Sequence, residues 1–573
     1  MKLSIHALCC LCAVLIGCGR GPCAKHGVAP NPAVGRLARE ASWQNKSQET
    51  NEKLVFHAVL LDETAGIVPW SAVDSPYDQV ARLGFSAFAA IGDAPNGKPP
   101  YFSAAMFKPM PDGSFQPGSW LYNPPGLAAM LVRSTLRWYA YSGDRTPLDR
   151  TRALVDHVLE NGRTQKTDAW AEVPYSSANG GDLIYRGGDD VKYCEPHEPC
   201  GRGDGPGFLE PDKIGEFGHA LVLLYQAFGK DGGEEKYLVA AKLCADALAK
   251  YVTPGDANHS PWPFRVDAAK NEKVREPYTS NIVPTIMMFD ALEAIGVSND
   301  AYKNARKLAH AWLLAYPVKT MHWQGFFEDI PIHEKPGTNP NQYSAGEAAR
   351  FLLDRPDVDP EGPKHAREIV DWIAKTFAVD VTAPIGPTPG HWHQAEVISE
   401  QEADMAKMGS HTARFASVLA RLYEVTGDTS LRERARRSFA WATYCIDEKG
   451  VVKVGPDDRE GFWFSDGYGD YMIHFLDGMA AVPAWAPRGE AHVLRTSSVP
   501  REVTYSKGAL HFVLADGNGR DEIALPSSPT SIAFDGKPIA LDAKDIVTTQ
   551  KLGTQGVLVQ IKRANVKDIW IRW

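Results

Sequence analysis

A helical pattern returns along this chain at intervals of about 60 to 90 residues, and it limits the possible folds more than any other feature. Similar helices appear around Leu148 (TPLDRTRALVDHVLENG), Glu235 (EKYLVAAKLCADALAKY), Ala301 (AYKNARKLAHAWLLAYP), Gly362 (GPKHAREIVDWIAKTF) and Ser430 (SLRERARRSFAWATYC). Each carries an apolar stripe with basic residues on the opposite face. Three follow a dipeptide of one type, Gly143-Asp144, Asn299-Asp300 or Gly427-Asp428. Helices of this kind bury their stripes only against neighbours, so the pattern predicts stacked two-helix units.

If these helices form an outer ring, the ones before them form an inner ring. Candidates begin near Pro124, Asp212, Asn281, Gln342, Gly409 and Tyr468, and most end at Gly or Gly-Asp, as helix C-termini do. Six or seven pairs close into an (α/α)6 or (α/α)7 toroid, with Pro76 to Ile91 offering the seventh. Near Pro487 the pattern changes to short alternating segments (HVLR, EVTYS, ALHFVLA, EIALP, SIAFD, GVLVQIKR, DIWIRW) separated by turn residues. These predict a small C-terminal antiparallel β-sandwich with a structural or docking role. The expected organisation is a leader over 1–18, a flexible tether over 19–45, a toroid over 46–487 and a sandwich over 488–573.

Lys2 followed by an apolar run from Leu3 to Ile16, and then Leu15-Ile16-Gly17-Cys18, resembles a bacterial lipobox in which Cys18 is lipidated. The expected location is the bacterial cell envelope, with membrane attachment through the lipid anchor only; an ordinary cleaved signal peptide is the alternative. Of nine cysteines, four belong to this leader. Cys194 and Cys200 flank EPHEP and suit a disulfide in an exported protein, or a metal clip with His197. Cys244 and Cys445 sit on apolar stripes as core thiols. A formal charge of −9, with no basic run of five or more, argues against nucleic acid as a partner. Fifteen Trp exceed what a helical core needs; surplus Trp lines ligand clefts or fills cores.

Polar and aromatic residues crowd the starts of the inner helices. They include Glu216 and His219; His259, Trp262 and Arg265; Tyr278 and Asn281; Trp323, Glu328 and Asp329; Asn341 and Tyr343; Lys407, His411 and Arg414; and Trp463, Asp466 and Tyr468. An antiparallel toroid brings them to one end, where helix N-termini favour an anion. Each has a plainer reading: Asp466 and Asn281 as caps, His219 as a core histidine, Arg265 and Arg414 as ion-pair partners, Glu328 and Asp329 as loop acids. Their recurrence at five successive positions points to a cleft.

The stretch EFGHALVLLYQAF (Glu216 to Phe228), followed after a gap by Tyr278-Thr279-Ser280-Asn281, resembles the C-terminal domain of glucuronyl C5-epimerases. The wider architecture is similar to carbohydrate-active (α/α) toroid enzymes, which include alginate and heparinoid lyases and many glycoside hydrolases. The resemblance implies an acidic polysaccharide or oligosaccharide as substrate, no cofactor, and β-elimination as the leading chemistry. Removing a proton next to a carboxylate requires that the carboxylate be neutralised and that an acid and a base be at hand. Asn281 and Asn341 with Arg265 or Arg414 offer the first. His411 or His219 serves as base, and Tyr278 or Tyr343 as acid or base. His259, Trp262, Trp323, Asn341, Trp463, Asp466 and Tyr468 would contact sugar.

A glycoside hydrolase is the alternative, drawing on Glu328 or Asp329 with Asp466 or Glu216 as its carboxyl pair. A noncatalytic surface glycan-binding lipoprotein is a further one. His391 and His393 with Glu396 or Glu400 have zinc-like spacing, but a loop histidine pair more often bonds or touches sugar, and no metal is expected. Phosphate-loop and dinucleotide signatures are absent from the sequence.

Overall fold

Helix punctuation in the sequence is reproduced atom by atom at the turns between paired helices. Gly427 ends one helix with φ of 75°, and the carboxylate of the next residue, Asp428, accepts from Ser430 N at 3.0 Å to cap the following one. Gly143 does the same with φ of 75°, and Asp144 accepts from Thr146 N. Asn299 caps its helix by accepting from Tyr302 N at 2.9 Å. Gly427-Asp428 and Gly143-Asp144 thus join a helix stop to a helix start, while Asn299-Asp300 is a start alone.

The computed structural model describes residues 47–573 except 72–73, 119–121, 189–204, 230–233, 273, 326–339, 381–390, 402–407, 456–462, 466, 544 and 553–555. The leader with Cys18, the tether, the Cys194 and Cys200 loop, Glu328, Asp329, Lys407 and Asp466 lie outside the described residues.

The inner helices are α2 (Pro124–Ser142), α4 (Pro211–Phe228), α6 (Val283–Ala294), α8 (Gln342–Asp354), α10 (Gly409–Thr426) and α12 (Met472–Ala481). Each packs on the next, and α12 packs back on α2, so the ring closes. Outside it lie α3 (Thr146–Asn161), α5 (Glu235–Tyr251), α7 (Asp300–Ala315), α9 (Gly362–Phe377) and α11 (Thr429–Ala442), each against the inner helix before it in the chain. The sixth outer place belongs to α1 (Pro76–Ala90), which packs on α12. The toroid is therefore sixfold: the segment that the sequence offered as a seventh unit completes the sixth. The reason is apolar burial, since the outward face of α12 has no following helix to cover it and Tyr77 of α1 lies against Phe475 instead.

Burial follows ring position. Outer α9 buries Ala366, Ile369, Val370, Ile373 and Phe377, one stripe at helical spacing. Inner α4 is buried over most of its length. Gly215 lets it approach α6, where a Cβ would fall 1.9 Å from Thr285 Oγ1. Cys244 and Cys445 are buried in the core, and burial pushes the Cys244 thiol up to about 12. Among the described residues no helix is long and apolar enough to cross a membrane.

Residues His492–Arg572 form a sandwich of a four-stranded and a five-stranded antiparallel sheet. Inward residues alternate along its strands, as in Val503 of one and Leu510, Phe512 and Leu514 of its neighbour. The sandwich sits on the C-terminal ends of inner helices, where carbonyls lack intrahelical partners. Tyr505 OH donates to Ala140 O at 2.7 Å, and Arg501 Nε donates to Gln226 O at 2.9 Å. Arg495 pairs with Glu424 at 2.6 Å. One end of the ring is thereby closed, which leaves the N-terminal end of the inner helices for a site.

Candidate functional site

Five polar stripes converge inside the ring. On α4 they are Asp212, Glu216 and His219; on α8, Tyr343, Glu347 and Arg350; on α10, His411, Arg414 and Ser417. The turn before α12 and α12 itself give Asp470, His474 and Asp477, and α2 gives Arg133 and Arg137. Steps of three and four residues put each set on one helix face. Because the inner helices are otherwise apolar, that face meets the same face of the other helices.

The contacts run from helix to helix. Arg133 of α2 donates to Glu347 of α8 at 3.1 Å and to the Tyr343 hydroxyl at 3.4 Å. Arg414 of α10 donates to the other Glu347 oxygen at 3.2 Å and pairs with Asp470. Asp470 accepts from His474 Nε2 at 3.1 Å. Arg350 bonds Asp477 at 2.9 Å, and Arg137 bonds its other oxygen at 3.1 Å. The Arg414 side chain crosses α8 at Gly346, where a Cβ would lie 3.0 Å from its Cδ.

A second cluster adjoins the first through Tyr343, whose ring centroid lies 6.0 Å from Lys213 Nζ. Lys213 is wholly buried, 3.3 Å from Glu216 and 3.6 Å from Asp212. Asn281 Nδ2 donates to both carboxylates, at 2.7 Å to Asp212 and 2.9 Å to Glu216. Asp212 Oδ1 and Asn281 Oδ1 are buried acceptors with no donor among the described residues.

Electrostatics assigns protons. Burial alone would raise the Glu347 carboxyl, but Arg133 and Arg414 overcome it and hold it at about 2. Burial would raise Asp470 too, but Arg414 and His474 together overcome it and hold the carboxyl far below the carboxylate range. Asp212 moves the other way, pushed up to about 6 by burial against the pull of Lys213, with Glu216 adding to the rise. Burial and then Glu216 raise the Tyr343 phenol, so it keeps its proton at neutral pH.

The two histidines differ in what holds them. Burial pushes both down to about 3, helped by Arg133 at His219 and by Arg414 at His411, so both rings are neutral. His411 Nδ1 faces two donors, Arg414 Nη1 at 3.2 Å and the Gln342 amide, so it accepts. Its proton then sits on Nε2, 3.6 Å from Glu400. His219 has no hydrogen-bond partner among the described residues, and its ring nitrogens are unclaimed.

Of the residues expected from the sequence, the structure brings together Glu216, His219, Asn281, Tyr343, His411 and Arg414. Asn341 stands at the edge and caps α8 through Tyr343 N. Others are placed elsewhere. Arg265 is fully buried between Glu210 and Glu276, 3.1 Å from each, and serves as an ion-pair partner. Tyr278 is buried, stacked on His322, and its hydroxyl donates to that residue's carbonyl. Trp262 and Trp323 are core residues at 2% and 0% exposure, with no face open to a sugar. His259 is exposed and bonded to Asp256. Tyr468 is buried and donates to Gly450 O. Trp463 is half-buried against Phe107 and Phe115. His391 lies 3.7 Å from Glu396, while His393 bonds Glu52 of the strand Gln48–Leu54 at 2.8 Å.

Sequence reasoning missed Arg133, Lys213, Asp212, Glu347, Asp470 and His474. The signal was present as polar residues at three- and four-residue steps inside apolar helices. The starts of α4, α8 and α10 pointed to Glu216, His219, Tyr343, His411 and Arg414, while the stripes of α2 and α12 lie deeper in the chain's helices and were passed over.

No family model matches the chain, and no curated protein matches it. Solved structures are similar to it in fold. A D-mannose isomerase aligns with a TM-score of 0.48 at 13% identity, over 70% of this chain and 97% of the other. A cellobiose 2-epimerase from Bacillus thermoamylovorans gives 0.48 at 11%, over 70% and 97%. A family 76 glycoside hydrolase from a bovine Bacteroides thetaiotaomicron strain gives 0.44 at 12%, over 74% and 83%.

Proposed function

We propose that this chain is a carbohydrate-active enzyme that abstracts a proton beside a sugar carboxylate, as a uronate lyase does. The observation that carries this reading is the arrangement around Arg133: burial and then its field keep the unclaimed His219 ring neutral, and its guanidinium holds the protonated Tyr343 hydroxyl. A base, a cation and an acid are thus grouped at one end of the ring.

In the proposed reaction the C5 proton passes to a His219 nitrogen, and its electron pair forms the C4–C5 double bond. The C4–O bond breaks, and the leaving oxygen takes the Tyr343 proton. Arg133 offsets the charge that builds on the sugar carboxylate. That carboxylate would in turn offset the field of Arg133 at His219 and raise the basicity of the ring when it is needed.

A hydrolase reading is favoured by one observation, the raised Asp212 carboxyl with its unbonded Oδ1. Asp212 and Glu216 are, however, bridged by one Asn281 amide and by Lys213, which leaves no gap between them for a glycosidic bond. A hydrolase would need an acid from Glu328, Asp329 or Asp466 opposite Asp212.

Incubation with alginate, glucuronan, heparinoid and neutral glycans decides the matter. Ultraviolet absorbance from an unsaturated uronate supports the proposal; new reducing ends without it mean hydrolysis, and binding without either means a glycan receptor. We further propose export and lipid attachment at Cys18. Loss of palmitate labelling in Cys18→Ala supports it, and unchanged labelling refutes it.

A further inference from the structure

A groove of about 480 Å³ opens where α3 ends, at the same end of the ring as the site. Pockets of this size accommodate small ligands, a sugar unit among them. Its walls carry Arg163, Lys166 and Arg186, all exposed, with Glu160 and Glu172 as the acids. Glu172 is shared between Arg163 and Lys166, each at 4.0 Å, the outer limit of an ion pair. Arg186 has no acid partner among the described residues. Positive charge is therefore in surplus here, on a chain whose formal charge is −9.

Hydrogen bonds tie the walls of the groove together. Thr164 N donates to Val173 O at 2.9 Å, Val173 N donates to Thr164 Oγ1 at 3.1 Å, and Tyr185 N donates to Asn161 O at 3.0 Å. Glu172 holds φ of 57°, a left-handed backbone that costs on the order of 1 kcal/mol and persists only where the surroundings enforce it. The same loop runs on to Ser176, whose hydroxyl donates to Glu210 O at 3.4 Å, and Glu210 opens α4. The wall of the groove is thereby docked on the helix that carries Asp212, Glu216 and His219.

We infer that this groove is a secondary subsite for an anionic sugar unit, carboxylated or sulfated, of a polymer whose reacting unit lies inside the ring. The inference rests on the proposed function for the identity of that polymer. Arg186 and Arg163 would each engage an acidic group near the surface, where long-range attraction is screened and short contacts decide. A short substrate confined to the ring would not reach them.

The test uses the full chain and the double variant Arg163→Ala/Arg186→Ala. In native gels cast with polyglucuronate or dextran sulfate, wild type should be retarded relative to neutral dextran gels, and the variant should run free. Retardation in only one of the two acidic gels identifies carboxylate or sulfate as the group held. Where turnover of a uronate polymer is observed, KM should rise up to about fivefold per side chain removed, with kcat and the KM of a disaccharide unchanged. Equal retardation of variant and wild type overturns the inference, as does absence of retardation in both. Lost retardation in a protein that turns over no uronate polymer would leave the subsite standing and refute the proposed reaction instead.

Discussion

The guanidinium of Arg414 lies over the ring of Tyr343, its central carbon 3.9 Å from the ring centroid, while the same group bonds Glu347 and Asp470. One side chain from α10 therefore joins α8, the turn before α12 and the aromatic residue at the centre of the site. Arg414 is fully buried, so its charge persists there only because two carboxylates answer it.

Arg414→Met should cost about 3–5 kcal/mol of stability, since Asp470 and Glu347 lose a buried counter-charge. Denaturant unfolding measures this. A loss below about 1 kcal/mol would mean that the network relaxes around the vacancy, and the central role given to Arg414 would fall.

His219→Ala and His411→Ala should separate chemistry from architecture. His219 makes no hydrogen bond among the described residues, so its removal should abolish turnover of a uronate polymer with little change in thermal unfolding. His411 answers Arg414 and Gln342, and removing it leaves donors unmet at a cost of about 1–3 kcal/mol. Turnover retained in His219→Ala would remove it from the role of base.

Acid titration of stability should show two opposed slopes. Glu347 falls from 4.5 to about 2 on folding, so it contributes stability that is present above 4.5 and lost as pH drops through 2. Asp212 rises from 3.8 to about 6 on folding, so the native state holds the extra proton and stability declines as pH climbs through that window. Glu347→Gln should flatten the first slope and Asp212→Asn the second, as read by unfolding midpoints across pH. Slopes unchanged in both variants would refute these proton assignments.

Tyr505→Phe should destabilise the protein by about 1–2 kcal/mol, because its hydroxyl both donates to Ala140 O and accepts from Val493 N at 2.9 Å. Hydrogen exchange should quicken at the C-terminal end of α2. Faster exchange confined to the sandwich would mean that the contact does not brace the ring.

Much of this architecture was legible because its signals are local. The apolar stripe of α9 and the alternation in the strand Ala509–Leu514 are set by helical and extended periods, which the order of residues alone expresses. Gly427-Asp428 announces a stop and a start for the same reason: conformation at those two residues depends on the residues themselves.

What the order of residues could not express was distance across the ring. Arg265 and Arg414 look alike in sequence, both basic and both near the start of an inner helix, yet one is folded between Glu210 and Glu276 and the other spans the centre. His219 and His411 read as interchangeable bases until packing gave one a pair of donors and left the other unclaimed. Trp262 and Trp323 read as sugar platforms until the core enclosed them. The repeat, the punctuation and the alternating strands follow from short-range sterics and periodicity. Which charge answers which, which ring nitrogen keeps a lone pair, and whether six units or seven close the circle depend on residues hundreds of positions apart, and only the folded chain brings those together.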